Sequence, residues 1–104
     1  MEDKERKIRL YETYGKMLTT NMQDVFEQYY FSDLSLREIA ANNEVSFQAI
    51  RDTLKKVEKQ LETMETKIGM LELKEKVNEL ISDVSNPNMD KEELINKINK
   101  LGEI

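Results

Sequence analysis

The sequence contains no histidine, no cysteine and no tryptophan. Without cysteine and histidine, a zinc site of thiolates and imidazoles is excluded, and so are disulfide bonds. The same absences remove the cysteine nucleophile and the histidine general base of the usual catalytic triads. A glycine-rich phosphate loop is also missing. We therefore expect a protein that is not an enzyme and that needs no cofactor or metal.

Long apolar runs and a basic excess are lacking as well. No apolar stretch approaches the length of a membrane span, and the opening MEDKERKIRL is charged from its second residue, unlike a secretory signal peptide. These features favour a cytoplasmic protein. The chain carries 16 basic and 21 acidic side chains, a net charge of −5. A protein that depends on phosphate contacts usually presents a basic face, so any such face must be local here.

The composition is 38% hydrophobic and 36% charged, with three glycines and one proline. This profile is typical of a mostly helical protein, and 104 residues suffice for one domain. We expect a single all-α domain over residues 1–104. Its aromatic cluster YYF, at positions 29–31, is expected to fill the core.

The segment SLREIAANNEVSFQAIRDTL, residues 35–54, predicts two helices joined by a tight turn. Ser35 and Glu38 form the capping box S-x-x-E, and Leu34 and Ile39 have the spacing of a hydrophobic staple. A second helix begins at Ser46. Because only three or four residues separate the helices, they must cross sharply, which is helix-turn-helix geometry. We place the core of this motif at about residues 19–61.

The turn has an unusual sequence, Asn43-Glu44. Such turns need a residue with positive φ, usually glycine. Asparagine tolerates that conformation and glutamate does so at a cost of roughly 1 kcal/mol. The sequence therefore predicts that Asn43 adopts the left-handed conformation.

The exposed face of the second helix contains the candidate contacts to nucleic acid or to a partner. Gln48 could read adenine and Arg51 guanine, while the lysines could meet phosphates. An ordinary solvated helix face is the competing interpretation. The candidates are Phe47, Gln48, Arg51, Asp52, Lys55, Lys56 and Lys59.

The second helix also continues as a heptad seam. The seam either pairs with a second copy of the chain or packs on the chain's own first and last helices, and we favour a homodimer because much apolar surface needs cover. A break near Gly69 and a helical extension over about residues 70–104 follow, with a turn at SNPN and a last helix from Asp90. The candidate dimer residues are Leu54, Val57, Leu61, Met64, Ile68 and Leu71.

Three stretches, LYETYGKMLT, YYFSDLSLREIA and VSFQAIRDTLKKVEKQLE, resemble the YlxM family of small bacterial proteins over roughly residues 8–70. The helix-turn-helix part is also similar to the promoter-reading domain of sigma factors. The resemblance implies an all-α fold with a sigma-like helix-turn-helix. The heptad spacing adds an elongated recognition helix to this fold, and the apolar pattern beyond Gly69 adds C-terminal helices. It further implies an accessory or regulatory role in the signal recognition particle pathway, by binding the particle's GTPase, its RNA or both. That link rests on gene neighbourhood.

The alternative function is a DNA-binding transcriptional regulator that uses the helix beginning at Ser46. The family commonly has arginine directly after the capping serine, as in V-S-R-Q-A-V, whereas this chain has Phe47. An apolar ring replaces a cation at this position. The replacement weakens the expectation of DNA contact and favours an apolar contact with a protein.

Overall fold

The computed structural model describes residues 2–103, and these contain six α-helices and no strand. The all-α prediction is confirmed for this part of the chain. The helices are α1 (Glu2–Tyr14), α2 (Thr20–Tyr30), α3 (Leu36–Asn42), α4 (Phe47–Ile68), α5 (Met70–Val84) and α6 (Lys91–Leu101), with a short 3-10 turn at Gly15–Met17 after α1. Every helix in the described part is too short or too polar to cross a membrane.

Side-chain caps begin four of the helices, because each satisfies a backbone N–H that has no partner within its own helix. Ser35 accepts from the N–H of Glu38 at 3.1 Å while Glu38 accepts from the N–H of Ser35, which completes the predicted capping box. Ser46 accepts from the N–H of Ala49 at 3.1 Å and so starts α4. Thr19 and Asp90 cap α2 and α6 in the same way.

The described residues fall into two compact units that divide between Ile68 and Gly69. Gly69 has φ 72°, a left-handed conformation that ends α4 and that glycine adopts without strain. The break predicted at residues 69–71 is confirmed. The N-terminal unit contains α1 to α4, and the C-terminal unit contains α5 and α6. The prediction of a single domain stays a prediction.

In the N-terminal unit, α4 packs against α1, α2 and α3. Phe26 is fully buried at the centre, with its ring stacked on Tyr11 at 4.2 Å and on Tyr30 at 4.4 Å between centroids. The prediction that the YYF cluster fills the core holds for Tyr30 alone. Tyr29 and Phe31 are 36% and 49% exposed, because successive residues at the end of α2 point in different directions and only Tyr30 faces the core.

The heptad seam of α4 is covered differently along its length. Leu54, Val57 and Leu61 are buried in the core of their own chain, so here the seam packs on the chain's own helices and not on a second copy. This corrects the dimer assignment of these three residues, since a single bundle of four helices already removes them from water. Met64 is half-buried and Ile68 is 50% exposed, while Leu71 belongs to the C-terminal unit and is buried.

The turn between α3 and α4 also differs from its prediction. Asn43 has φ −95°, and Glu44 is the left-handed residue, with φ 55°. The N–H of Val45 donates to the carbonyl of Ala40 at 3.0 Å and the N–H of Glu44 to that of Ala41 at 3.3 Å. This is a Schellman motif, whose left-handed position follows from where α3 ends. The prediction for Asn43 was wrong because the end of α3 decides which residue is left-handed. This constraint outweighs the tolerance of asparagine for that conformation.

The C-terminal unit is a helical hairpin in which α5 packs against α6. Lys97 donates to Glu79 at 3.0 Å and to Asp83 at 2.7 Å, and these two hydrogen bonds raise the pKa of Lys97. No residue of α6 is buried. Both helices also carry apolar side chains that are between 39% and 66% exposed. These are Val77, Ile81, Val84, Ile95 and Ile98.

Replacing Glu44 by glycine is expected to raise the free energy of unfolding by about 1 kcal/mol, since glycine removes the strain of a Cβ in the left-handed region. The midpoint of thermal unfolding should rise by roughly 4–8 °C for a unit of this size. Urea and thermal denaturation followed by circular dichroism would measure both changes. The matched control is Asn43→Gly, which should not stabilise the protein because Asn43 has a negative φ. Stabilisation by the control but not by Glu44→Gly would contradict the assignment.

Candidate nucleic-acid interface

The packing of α4 determines which of its residues face outward. Its buried residues, Ile50, Leu54, Val57 and Leu61, form one stripe, and the opposite side of the helix is in contact with water. All of the contact candidates predicted from the sequence are exposed on this helix. Arg51, Lys55 and Lys59 recur at four-residue spacing, so they form one row along the helix. Lys56 lies on an adjacent face.

The cations of this row are not neutralised by neighbouring groups. Arg51, Lys55 and Lys59 make no ion pair or hydrogen bond with another described side chain. Lys7, Arg6 and Lys97, in contrast, are each paired with carboxylates. The outer face of α4 is therefore a local basic surface on an acidic protein.

Gln48 and Asp52 form a pair one turn apart on the same helix. The side-chain amide of Gln48 donates to a carboxylate oxygen of Asp52 at 3.1 Å. The hydrogen bond occupies one of the donors that Gln48 would offer to a base, and it holds the side chain in one orientation. Asp52 is also the one carboxylate among the candidates, and it opposes the approach of a phosphate.

Phe47 has a partner that the sequence analysis did not identify. The guanidinium of Arg37, on α3, lies 5.0 Å from the centre of the Phe47 ring, which is a cation–π contact. Phe47 is 38% exposed, and Arg37 is exposed too. The ring of Phe47 therefore holds an arginine of α3 at the start of α4. Only the crossing of α3 and α4 brings the two together, so no local sequence signal points to them.

A cleft of about 630 Å³ lies beside the basic row, between α1, the α2–α3 turn and α4. Arg51 and Lys55 line one side of it, and Tyr29 lines it from α2. Lys4 and Lys7 line it from α1, and neither is among the site residues predicted from the sequence. The cleft thus extends the surface of α4 toward a helix that lies outside the helix-turn-helix.

The acidic groups of the cleft are all engaged. Lys7 contacts Asp3 and Glu58, each at 3.0 Å, and Lys4 contacts Asp33 at 3.5 Å. Burial lowers the pKa of Lys7, but its hydrogen bonds to Glu58 and Asp3 outweigh burial, so the pKa is raised. The hydroxyl of Tyr30 donates to Glu58, and burial together with this bond raises the pKa of Tyr30. Lys7 and Tyr30 therefore keep their protons at neutral pH.

Among residues 2–103, no three acidic side chains come together in the way a metal ion would require. The described surface thus offers cations, one amide, aromatic rings and a cleft. These groups suit contact with phosphates and bases.

The family comparison covers almost the whole chain. Residues 1–101 match a family model, UPF0122, described as "Putative helix-turn-helix protein, YlxM / p13 like". A UPF0122 protein of Thermoanaerobacter sp. (strain X514) is 44% identical over 62 residues, which are 60% of this chain and 53% of the relative. A UPF0122 protein of Listeria welshimeri is 41% identical over 75 residues, 72% of this chain and 68% of the relative. The chain therefore spans about half the length of the first of these relatives.

A double-mutant cycle tests the contact between Arg37 and Phe47. Arg37→Ala, Phe47→Ala and the double variant should give a coupling free energy of roughly 0.5–1 kcal/mol in urea unfolding, because each single change already abolishes the same contact. Arg37→Lys is the matched control, since it keeps the charge but is a poorer planar partner for a ring. Simple addition of the two single losses would show that the contact does not stabilise the start of α4.

Proposed function

We propose that this chain, which belongs to the UPF0122 family of YlxM / p13-like helix-turn-helix proteins, is a non-catalytic regulatory protein that binds nucleic acid through α4. The observation that carries the proposal is the row of cations without partners, Arg51, Lys55 and Lys59. These three cations share one helix and are exposed to solvent, and no carboxylate of the described residues pairs with them. Phosphates are the ligands that such a row fits best.

The basic row also lies where a helix-turn-helix meets its ligand. In this motif the first turn of the second helix approaches base edges, and the residues further along approach the backbone. Gln48 and Arg51 are on the first turns of α4, so they are the proposed base contacts, to adenine and guanine. Lys55, Lys56 and Lys59 follow, and they are the proposed phosphate contacts. This is the form that the proposal takes if the ligand is duplex DNA.

The finer proposal, an accessory role in the signal recognition particle pathway, rests on the resemblance to the YlxM family. One observation favours a protein partner of this kind. Val45 and Phe47, at the start of α4, are 46% and 38% exposed, and they offer apolar contact area beside the basic row. A partner that combines a protein with an RNA, as the particle's GTPase does when it is bound to its RNA, would use both surfaces. The site of action would then be the cytoplasm.

We also propose that the chain is a homodimer, and that the interface lies in the C-terminal hairpin. The N-terminal half of the predicted α4 seam is already buried in the chain's own core. The hairpin, in contrast, has no buried residue on α6 and a continuous row of exposed aliphatic side chains on both helices. A unit this small rarely stays folded without further cover, and a second hairpin would complete a four-helix bundle.

Titration with a labelled duplex at several salt concentrations tests the nucleic-acid proposal. The variant Arg51→Ala with Lys55→Ala should bind more weakly, and each lost phosphate contact should reduce the slope of log K against log salt by about 1. Lys16→Ala with Lys67→Ala is the matched control, because it removes the same charge from exposed positions outside the row. If the two double variants weaken duplex binding equally, the loss comes from net charge and not from the row, which would contradict the proposal.

The same titration with the signal recognition particle's RNA, and with its GTPase, decides between the two finer forms. Binding of duplex DNA alone favours the transcriptional regulator. Binding of the RNA or the GTPase, with Phe47→Ser weakening the capture of the GTPase, favours the accessory role. No binding to any of these ligands at low salt would refute the proposed function.

Sedimentation equilibrium at micromolar concentration should give twice the mass of one chain. Ile81→Glu with Ile98→Glu should give a single-chain mass, because it places charges in the proposed apolar interface. Ser82→Glu with Asn96→Glu adds the same charge at exposed polar positions of the same helices and should leave the dimer intact. A single-chain mass for the unaltered protein would refute the dimer.

A further inference from the structure

We infer that the cleft between α1, the α2–α3 turn and α4 binds an unpaired nucleotide, with the base on the ring of Tyr29 and a phosphate on Arg51 and Lys55. The inference rests on the proposed function, and it goes further by naming the part of the nucleic acid that is recognised. It predicts that the ligand contains a single-stranded segment, such as a loop, a bulge or a free end.

The cleft keeps positive charge that none of its carboxylates neutralises. Its lining includes three carboxylates, those of Asp3, Asp33 and Glu58, and each one contacts a lysine of α1. Arg51 and Lys55, on the opposite side, contact no carboxylate among the described residues. The two charges that stay without a partner are thus both positive and one helical turn apart. A ligand that enters the cleft finds an anion-binding edge.

The cleft is also lined by the aromatic ring of Tyr29. Tyr29 is 36% exposed, and its hydroxyl makes no hydrogen bond with another described residue. Its ring is held at 84° to that of Tyr30, with 5.0 Å between centroids, and Tyr30 in turn stacks on buried Phe26. A ring supported in this way loses little freedom when a base stacks on it. Leu34 and Leu36 add apolar surface to the same cleft.

The combination of two unpaired cations and one aromatic ring suits an unpaired nucleotide better than other ligands. A base pair inside a duplex has both faces covered by its neighbours, so it could use the cations but not the ring. An acidic peptide segment likewise needs only the cations. An unpaired nucleotide carries a flat apolar face and an anion a few ångströms apart, and aromatic stacking with cationic contact is how single strands are bound elsewhere. The volume of about 630 Å³ lies within the range of sites for small ligands.

The experiment compares short single-stranded RNA and DNA oligonucleotides of one sequence with their duplexes, by fluorescence anisotropy on the full chain. Tyr29→Leu should weaken single-strand binding by roughly tenfold, the size of one base–ring stacking contact, and leave duplex binding unchanged. Tyr29→Phe keeps the ring and is the matched control, so its affinity should stay within about twofold of the unaltered protein. Tighter binding of RNA than of DNA would name RNA as the source of the nucleotide, and the reverse would name single-stranded DNA.

A second measurement reads stacking directly. The protein has no tryptophan, so the fluorescence of a 2-aminopurine base in the strand can be followed without overlap from indole. Its emission should fall on binding to the unaltered protein and to Tyr29→Phe, and this fall should be smaller with Tyr29→Leu. Thermal unfolding of each variant would confirm that it is folded, which we expect because Tyr29 lies at the surface.

The outcomes separate the two proposals. Equal single-strand affinity and equal quenching for Tyr29→Leu and Tyr29→Phe would overturn the cleft inference. Duplex binding that depends on Arg51 and Lys55, with no binding of single strands, would also overturn it and leave the proposed function standing. Competition by an acidic peptide, with no dependence on Tyr29, would assign the cleft to a protein segment instead. The absence of all nucleic-acid binding at low salt would refute both proposals.

Discussion

The packing of one face of α4 onto α1, α2 and α3 is the interaction on which the N-terminal unit depends. Ile50, Leu54, Val57 and Leu61 are at most 7% exposed, and complete burial of each aliphatic side chain contributes about 1.5–3 kcal/mol. Because these residues set the rotation of α4 about its axis, they also determine which side chains face solvent. The candidate interface is therefore a consequence of the core, since a helix with one face buried must present the other.

The outward face of α4 is basic because its cations are not paired, whereas the lysines of α1 that line the same cleft are paired with carboxylates. Lys4 and Lys7 on α1 are paired with nearby carboxylates, whereas Arg51 and Lys55 on α4 are not. A chain of net charge −5 can in this way present a small positive surface, because the cations of the row stay unpaired while the lysines of α1 beside it are paired. The acidic composition lowers long-range attraction to a polyanion but does not prevent close contact.

The C-terminal unit buries its apolar side chains less completely than the N-terminal unit does. The α5–α6 hairpin has specific polar contacts, through Lys97, yet it leaves most of its branched aliphatic side chains at least partly in water. Two short helices enclose too little volume to bury both of their apolar faces. Exposed apolar surface of this kind is unfavourable for an isolated protein. We propose that association with a second copy covers it. Such association would also bring two α4 surfaces into one assembly, which suits a repeated ligand.

Local pattern was enough to determine the class of fold, the helix-turn-helix and the starts of its helices from the sequence. Caps such as Ser35 and Ser46 act through backbone groups only a few residues away, and the apolar spacing of α4 reports its buried face directly. The candidates on the outer face, from Phe47 to Lys59, were found for the same reason, and their role in binding stays a prediction.

Tertiary structure alone decided the remaining features, because they depend on residues that are distant in the chain or on where a helix stops. The cation–π contact of Arg37 with Phe47 needs the crossing of α3 and α4. The cleft that Tyr29 shares with Arg51 needs α1 as a third wall. The left-handed conformation fell on Glu44 instead of Asn43 because the hydrogen bonds that close α3 outweigh the preference of one residue. Likewise, a heptad spacing identifies an apolar stripe, but only packing decides whether the same chain or a second one covers it.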